Sequence, residues 1–387
     1  MTKKIVLTLM LFLVATNCYA ADKYWVGGGS TANWTATGNT NWSNTDGGAN
    51  NATAPANGDN VFMKSSANCV VTPGIALLRS FNMTGYTGTL SGTTGYISVL
   101  GQGATTVSCT LGGTITWSGA ASYLRIYPTG STAIVNFTTN GKTIPGLFVG
   151  VTGTAGTVSL QDALTVTGNI LFSSGVFNTN GNDITANGFV SNYTNTRSLT
   201  LGDSVITLTG TGVSGTVWDF GTTTGLTLSA NASTINCTST EGGTKNFLGG
   251  GATYGDVSFA GFSSGIAGTW SVTGSNTFAD LTISPASVSY SNALYFPAST
   301  TQTVNTLSAT GTSTSRITLL SSTGFTLVDA DGGTNENDYL DVIDCTASPA
   351  DTFYYGENGS GTRATAWADV PEAPPASSAF QIIVMGD

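Results

Sequence analysis

The sequence predicts an all-β protein built as a parallel β-helix, in which short strands stack turn upon turn. Asp, Glu, Lys and Arg make up only 8% of the 387 residues, against about 25% in an average soluble domain. Gly, Thr, Ser and Asn dominate instead, and these residues are poor helix formers. From about residue 85 to 328 the chain repeats a strand of four to six residues, followed by Gly, Asn or Asp.

The repeated strands alternate apolar residues with Thr or Ser, which is typical of a half-buried strand. Examples are LTVTG (164–168), SLTLG (198–202), VITLTG (205–210) and GLTLS (225–229). Comparable strands begin at Leu199, Leu226 and Val257, and their similar spacing suggests one repeating unit. Each such unit offers three short strands, which is what one turn of a β-helix requires. A string of β-sandwich domains is the alternative, although it would favour longer strands and hairpin loops.

The N-terminal segment predicts a secretory signal peptide over residues 1–20. Lys3 and Lys4 precede an apolar stretch over 5–15, and a small residue, Ala20, suits cleavage before Ala21. We therefore expect a protein that is secreted or held at the cell surface after cleavage near Ala20.

The two ends of the mature chain differ from its middle. Residues 21–84 concentrate Trp and Tyr and are predicted to form an N-terminal cap and the first strands. Residues 85–328 are the predicted solenoid. Residues 329–370 are an acidic loop and C-terminal cap, and 371–387 are a Pro-rich linker and tail.

Four cysteines remain after cleavage, and they allow three disulfide pairings. Cys69 and Cys109 are the most local pair. Cys237 lies in an alternating strand, where it is expected to fill an inward position as a small apolar residue. Cys345 lies near the C-terminal end.

Several phrases occur in a characteristic order: YWVGG near the N-terminus, LTVTG-type strands, TVWDF (216–220) and YLDVIDCTAS followed by YYGENG (339–358). In this order the chain resembles uncharacterised secreted or phage-encoded, pectin-lyase-like β-helix proteins from bacterial and phage metagenomes. The resemblance implies a right-handed parallel β-helix and brings no established activity.

Composition excludes several classes of chemistry. The chain has no histidine, so His-based catalysis and His-ligated metals are impossible. The net charge is −10 with 11 Lys and Arg, which argues against a nucleic-acid partner. No further apolar stretch reaches spanning length, so membrane insertion is not expected.

Three carboxylates are the candidates for catalysis. Asp183, Asp203 and Asp219 follow one another at intervals comparable to one turn of the repeat, and a pair on neighbouring turns could reach the separation that glycosidases use. Tyr193 and Trp218 could stack on sugars. Arg197 is the only basic residue between Lys142 and Lys245. The alternative is that these Asp residues, in NGND and LGDS, only build loops.

An acidic segment is the candidate for calcium, the one cofactor that the sequence leaves open. Asp329, Asp331, Glu336 and Asp338 offer hard oxygen ligands, and Asp341 and Asp344 follow. The spacing departs from an EF-hand loop, since Thr334 and Leu340 occupy the positions of the required Gly and Glu.

The predicted function is that of an exported structural or adhesive protein without catalysis, whose partner is a neutral polysaccharide or cell-surface glycan. Self-association stays open. The alternative is a carbohydrate-active β-helix, a hydrolase or lyase acting through its Asp residues. Ice binding is disfavoured because Thr-x-Thr does not recur at one fixed position over many turns.

Overall fold

The structure is a computed structural model. It describes residues 20–369 except 36–39, 73–76, 93, 103–104, 120–121, 151–154, 212–214, 231, 240, 263–267 and 286–291. The predicted signal peptide, apart from its last residue, and the predicted linker and tail at 371–387 lie outside the described residues.

The described residues form strands joined by loops, which we call corners. From the N-terminal end the strands are β1 Asp22–Trp25, β2 Trp42–Ser43, β3 Asn60–Met63, β4 Cys69–Val70, β5 Leu77–Leu78, β6 Ser80–Asn82, β7 Thr89–Gly92, β8 Tyr96–Val99, β9 Thr106–Thr110, β10 Thr114–Trp117, β11 Tyr123–Ile126 and β12 Ile134–Thr138. The middle strands are β13 Thr143–Ile144, β14 Leu147–Val149, β15 Thr157–Leu160, β16 Leu164–Val166, β17 Asn169–Phe172, β18 Gly175–Asn178, β19 Ile184–Ala186, β20 Gly188–Val190, β21 Arg197–Thr200, β22 Val205–Leu208, β23 Gly215–Asp219 and β24 Leu226–Ser229. The last strands are β25 Thr234–Cys237, β26 Gly243–Leu248, β27 Asp256–Phe259, β28 Gly268–Thr273, β29 Thr277–Ile283, β30 Asn292–Tyr295, β31 Thr301–Ser308, β32 Ile317–Asp329, β33 Asn335–Glu336, β34 Leu340–Ser348, β35 Phe353–Tyr354 and β36 Ser360–Thr362.

The strands build a parallel β-solenoid of about 11 turns, so the prediction of a right-handed parallel β-helix is confirmed. Each middle turn adds one strand to each of three sheets. The first sheet has the order β2-β1-β3-β6-β9-β12-β15-β18-β21-β24. The second begins as the separate three-stranded sheet β4-β7-β10 and, after a break in the pairing between β10 and β13, continues from β13 through β16, β19, β22, β25, β27 and β29 to β31. The third runs from β5 and β8 through β11, β14, β17, β20, β23, β26, β28, β30, β32 and β34 to β36.

Pairings between named strands are parallel except β1–β2, which rules out the alternative of tandem β-sandwiches with hairpin connections. The described residues contain no helix with the length and hydrophobicity needed to span a membrane.

The core is a set of inward-facing rows, each made of one side chain per turn. In the first sheet Val61, Phe81, Cys109 and Phe137 stack in register, and each is 0% exposed. A single turn could not bury these side chains alone, so the turns above and below supply the cover.

The cysteines are part of this core. All four are buried and free, so the suggested Cys69–Cys109 disulfide is absent. The two residues lie in different sheets, since Cys69 pairs with Leu90 and Cys109 with Phe137. Cys237 fills an inward position, as predicted.

Turns of unequal length make the repeat hard to align from sequence. In the first sheet Val176, Ser198 and Thr227 follow one another in register, so the turn that starts at Ser198 is longer than the one before it. The predicted set Leu199, Leu226 and Val257 is therefore wrong. Leu199 stacks on Leu228, whereas Val257 stacks on Ile235 in the second sheet.

Aromatic residues close the N-terminal end, as predicted. The indole rings of Trp25 and Trp34 each pack edge-on against Trp42, with ring centroids 5.1 and 4.8 Å apart. All three side chains are 1% exposed. Asp59 anchors the residue before β1 because its carboxylate accepts hydrogen bonds from the backbone N–H groups of Ala21 and Ala56.

The solenoid narrows after β24, the last strand of the first sheet. The next turn passes from β26 to β27 through residues 249–255, which form no named strand and pair with the following turn through an isolated bridge between Thr253 and Thr277. The second and third sheets continue beyond this point. The first sheet therefore ends partway along the molecule and leaves a step.

We expect Phe137→Ala to destabilise the protein by about 3–5 kcal/mol, because it opens a cavity in a closely packed row. Asn136→Ala, one residue away on the outward side, is the matched control and should change stability by less than about 0.5 kcal/mol. Urea denaturation followed by tryptophan fluorescence measures both. Equal shifts in the midpoint would show that the inward row does not carry the stability.

Candidate functional site

Two of the candidate catalytic carboxylates are neighbours on adjacent turns. Asp183 directly precedes β19, and its Oδ1 accepts a hydrogen bond of 2.9 Å from the backbone N–H of Val205. Asp203 lies on the next turn, over Gly181, where a Cβ would come within 2.3 Å of its Oδ1. Both side chains are exposed. Asp183 thus ties neighbouring turns together at a corner, as the loop alternative proposed.

The third carboxylate lies elsewhere. Asp219 ends β23 in the third sheet, in register between Val190 and Leu248. Burial raises the pKa of its carboxyl group. Since Asp183 and Asp203 flank the second sheet, Asp219 does not join them in one carboxylate pair.

Trp218 is not a ligand-stacking residue, which corrects the prediction. Its side chain is 0% exposed and stacks on Phe220 with ring centroids 4.2 Å apart. Its Nε1 donates a hydrogen bond of 3.1 Å to the hydroxyl of Tyr254. Tyr193 is partly exposed in the corner after β20, where burial and the nearby Tyr123 raise the pKa of its hydroxyl.

The acidic segment does not assemble a metal site within the described residues, where no group of three or more Asp, Glu, Cys or His side chains could hold a metal ion. Asp329 is 5% exposed, and its Oδ1 accepts hydrogen bonds from the N–H groups of Asp331 and Gly332. Asp331 accepts one from Gly333, and Glu336 is exposed. The proposed calcium ligands are thus committed to the loop backbone or face solvent.

The remaining acidic residues of this segment link turns of the C-terminal cap. Asp338 accepts hydrogen bonds from the N–H and side-chain amide of Asn358. Asp341 receives two hydrogen bonds from the Arg316 guanidinium, at 2.6 and 2.7 Å. Asp344 is bound by Arg363 in the same way.

Arg197 is a structural residue. It is 1% exposed and donates hydrogen bonds to the hydroxyl and carbonyl of Ser191 and to the carbonyls of Asn195, Thr222 and Thr224. Burial lowers the pKa of its guanidinium. Its hydrogen bonds join the corner before β21 to the corner before β24.

A surface that the sequence did not reveal lies on the outside of the first sheet. Over strands β6, β9, β12, β15, β18, β21 and β24, none of the outward side chains of the described residues is charged. We call this surface the polar face. Its central row is Ser80, Ser108, Asn136, Ser159, Asn178, Thr200 and Ser229. At strand spacings of about 4.8 Å the row extends for about 29 Å.

Two aromatic rings lie next to the polar face at its N-terminal end. Tyr24 and Phe62 point outward from β1 and β3 and stack with ring centroids 5.1 Å apart. Asn82 of the polar face follows Phe62 in register. Lys64 lies over both rings, 5.8 and 5.9 Å from their centroids, and pairs with Asp46.

A second outward row lies on the second sheet. It bears on the sequence-based expectation that Thr-x-Thr does not recur at one fixed position over many turns, which disfavoured ice binding. Four threonines stack on consecutive turns, and the row continues with Asn, Ser and Thr. We call it the threonine row: Thr143, Thr165, Thr185, Thr207, Asn236, Ser258, Thr282 and Ser308. Thr167 and Thr209 stand two residues along from Thr165 and Thr207, so Thr-x-Thr recurs at this position on two of the turns.

Comparison with protein-family models, with curated proteins and with solved structures finds no match to this chain. The candidate surfaces therefore rest on the geometry of this structure.

We expect Asp341→Asn to lower stability by about 1 kcal/mol at pH 7, since both partners of the Arg316 pair are partly exposed. Arg316 lowers the pKa of the Asp341 carboxyl. The stabilisation is therefore present above the unfolded-state pKa of about 3.9 and is lost as pH falls through the folded-state pKa.

Thermal unfolding of wild type and variant from pH 7 to pH 2.5 measures this effect. The difference between the two proteins should disappear at the acid end. Asp344→Asn is the matched control, because its partner Arg363 is largely exposed, and it should have the smaller effect. A difference that persists at pH 2.5 would contradict the ion-pair explanation.

Proposed function

We propose that this protein is an exported, elongated β-solenoid with a structural or adhesive role, which binds neutral polysaccharide along the polar face. The observation that carries the proposal is the run of seven strands without an outward charge. Export is inferred from the signal-peptide pattern of residues 1–20.

The chemistry of the polar face suits a neutral sugar chain. Carboxamide and hydroxyl groups such as those of Asn136, Ser159 and Asn178 can donate and accept hydrogen bonds with sugar hydroxyls. Within the seven described strands of the polar face, no charged outward side chain would have to lose its hydration on contact, a step that is costly for ions. A flat row of about 29 Å also suits an extended chain better than a compact ligand.

The stacked rings of Tyr24 and Phe62 support the same proposal. Sugar-binding surfaces combine hydrogen-bonding groups with aromatic rings that cover the apolar side of the sugar. Tyr24 and Phe62 are an outward aromatic pair in register with the polar face. With the Lys64 side chain turned away from the two rings, they would take the stacking role that the sequence assigned to Trp218.

A pull-down on a panel of insoluble neutral polysaccharides tests the proposal, with new reducing ends measured in the same samples. We expect retention without cleavage. Asn136→Asp, which adds one charge to the polar face at unchanged size, should weaken retention at least tenfold. Asn236→Asp makes the same change in the threonine row and should leave retention unchanged.

Two results would contradict adhesion through the polar face. Equal retention of the two Asn→Asp variants would place binding elsewhere. Release of reducing ends that Asp203→Asn abolishes would favour the carbohydrate-active alternative, in which the neighbouring Asp183 and Asp203 act on the sugar.

The threonine row favours a second candidate function, adsorption to ice. Among the described residues, the side chains of Thr143, Thr165, Thr185 and Thr207 make no hydrogen bond within the protein. Each therefore presents a hydroxyl and a methyl group to solvent at a regular spacing of about 4.8 Å. Such an array can order water in a periodic layer.

Thermal hysteresis and ice-recrystallisation assays test this second function. We expect activity in the wild-type protein and its loss in Thr185→Lys, because the long charged side chain breaks the regular surface. Thr157→Lys, on the polar face, is the matched control and should keep full activity. No hysteresis in the wild type, or equal loss in both variants, would contradict ice binding by this row.

A further inference from the structure

The step in the solenoid leaves β24 as an open strand edge. β24 pairs with β21 on one side, and no described strand pairs with its other side. Gly225 and Ser229 direct their carbonyls toward the turn of β21, where they accept hydrogen bonds from Arg197 and Leu201. Since alternate residues of a strand point to opposite sides, Leu226 and Leu228 direct their backbone groups to the open side.

The backbone groups on the open side are only partly used. The N–H of Leu226 bonds to the carbonyl of Thr223 within its own corner. Within the described residues, the N–H of Leu228 and the carbonyls of Leu226 and Leu228 have no strand to pair with. A row of this kind is a template for one further strand.

The apolar core is also open at this edge. Leu226 and Leu228 occupy inward positions but are only partly buried. On the turn below, Arg197 and Leu199 occupy the matching positions and are 1% and 0% exposed. An open solenoid end requires a cover, and here the missing cover is the next strand of the first sheet.

The sequence around β24 does not protect the edge. Residues 220–240 contain no Asp, Glu, Lys, Arg or Pro, which are the residues that commonly prevent edge strands from pairing. The site therefore suits an extended, uncharged segment with apolar residues at alternate positions.

The segment Phe380–Met385 of the same chain has this composition. Phe380, Ile382 and Val384 would share one face of a strand, and the segment FQIIVM carries no charge. A strand seated on Leu226 and Leu228 would also add to the polar face, because Gln381 would then point outward.

The chain is long enough to reach the step. The distance can be counted in turns along the second sheet. β24 and β25 belong to the same turn, and the turns that follow carry Val257, Leu281 and Leu307 in succession. The series continues to Asn335, Tyr354 and Ala368. A strand placed on β24 is therefore five turns, or about 24 Å, below Ala368. The segment 370–379 can span about 33 Å when extended.

We propose that Phe380–Met385 folds back onto the step and adds the next strand to the first sheet, beside β24. Its apolar side chains cover Leu226 and Leu228, and its backbone pairs with the open edge. The occupant is thus the chain's own C-terminal segment.

Hydrogen exchange of the Leu228 amide in the full-length protein tests the proposal. We expect the amide to be protected in the wild type and to exchange at least tenfold faster in Ile382→Asp, which places a charge in the apolar contact. Gln381→Asp, one residue away on the outward side, is the matched control and should keep the wild-type rate. Amides of β12 should exchange alike in all three proteins, which shows that the solenoid is intact.

A second measurement follows the segment itself. Chymotrypsin should cleave after Phe380 at least tenfold faster in Leu228→Asp than in the wild type. The proposal is overturned if the Leu228 amide exchanges freely in the wild type, or if Ile382→Asp and Gln381→Asp behave alike. Protection that rises with protein concentration would also overturn it and would assign the edge to a second copy of the chain.

Discussion

Everything in this molecule depends on in-register parallel stacking, which brings each side chain within about 4.8 Å of its counterpart on the next turn. Inward rows such as Val61, Phe81 and Phe137 gain from this repetition because apolar groups cover one another. A row of like charges would repel along its whole length. The low charge of the sequence is a consequence of the architecture, and Asn, Ser and Thr fill the outward rows because they stack without repulsion.

The alternation of apolar and polar residues was enough to predict the fold class and many inward positions. Leu199 and Cys237 face the core as their strand patterns require. The partners on neighbouring turns could not be predicted, because corners vary in length and a shift of a few residues selects the wrong partner. For this reason the pairing of Leu199 with Leu228 and the threonine row emerged only from the register of the strands.

The candidate site was predicted less well, because its residues depend on contacts that a sequence pattern does not contain. The register shifts between Thr216 and Trp218, so Val217 and Trp218 are both buried and the expected alternation fails. Asp329 lies in an acidic segment whose composition suggested a metal site, but its carboxylate accepts hydrogen bonds from its own loop. No sequence motif marks the residues of the polar face, which are ordinary Ser, Asn and Thr residues on separate strands. Its extent could therefore be seen only once the strands were aligned.

The unequal corners have a consequence for the dimensions of the molecule. Its length is set by the number of turns, since about 11 turns at about 4.8 Å give an axis of about 50 Å. The shorter turn that starts at Val176 and the longer turn that starts at Ser198 each add one strand spacing to the length of the solenoid. Residues inserted at a corner widen the molecule without lengthening it, whereas duplication of a whole turn extends it by one fixed step. The length of the solenoid is therefore fixed by its number of turns, in steps of about 4.8 Å, whereas its width depends on the lengths of its corners.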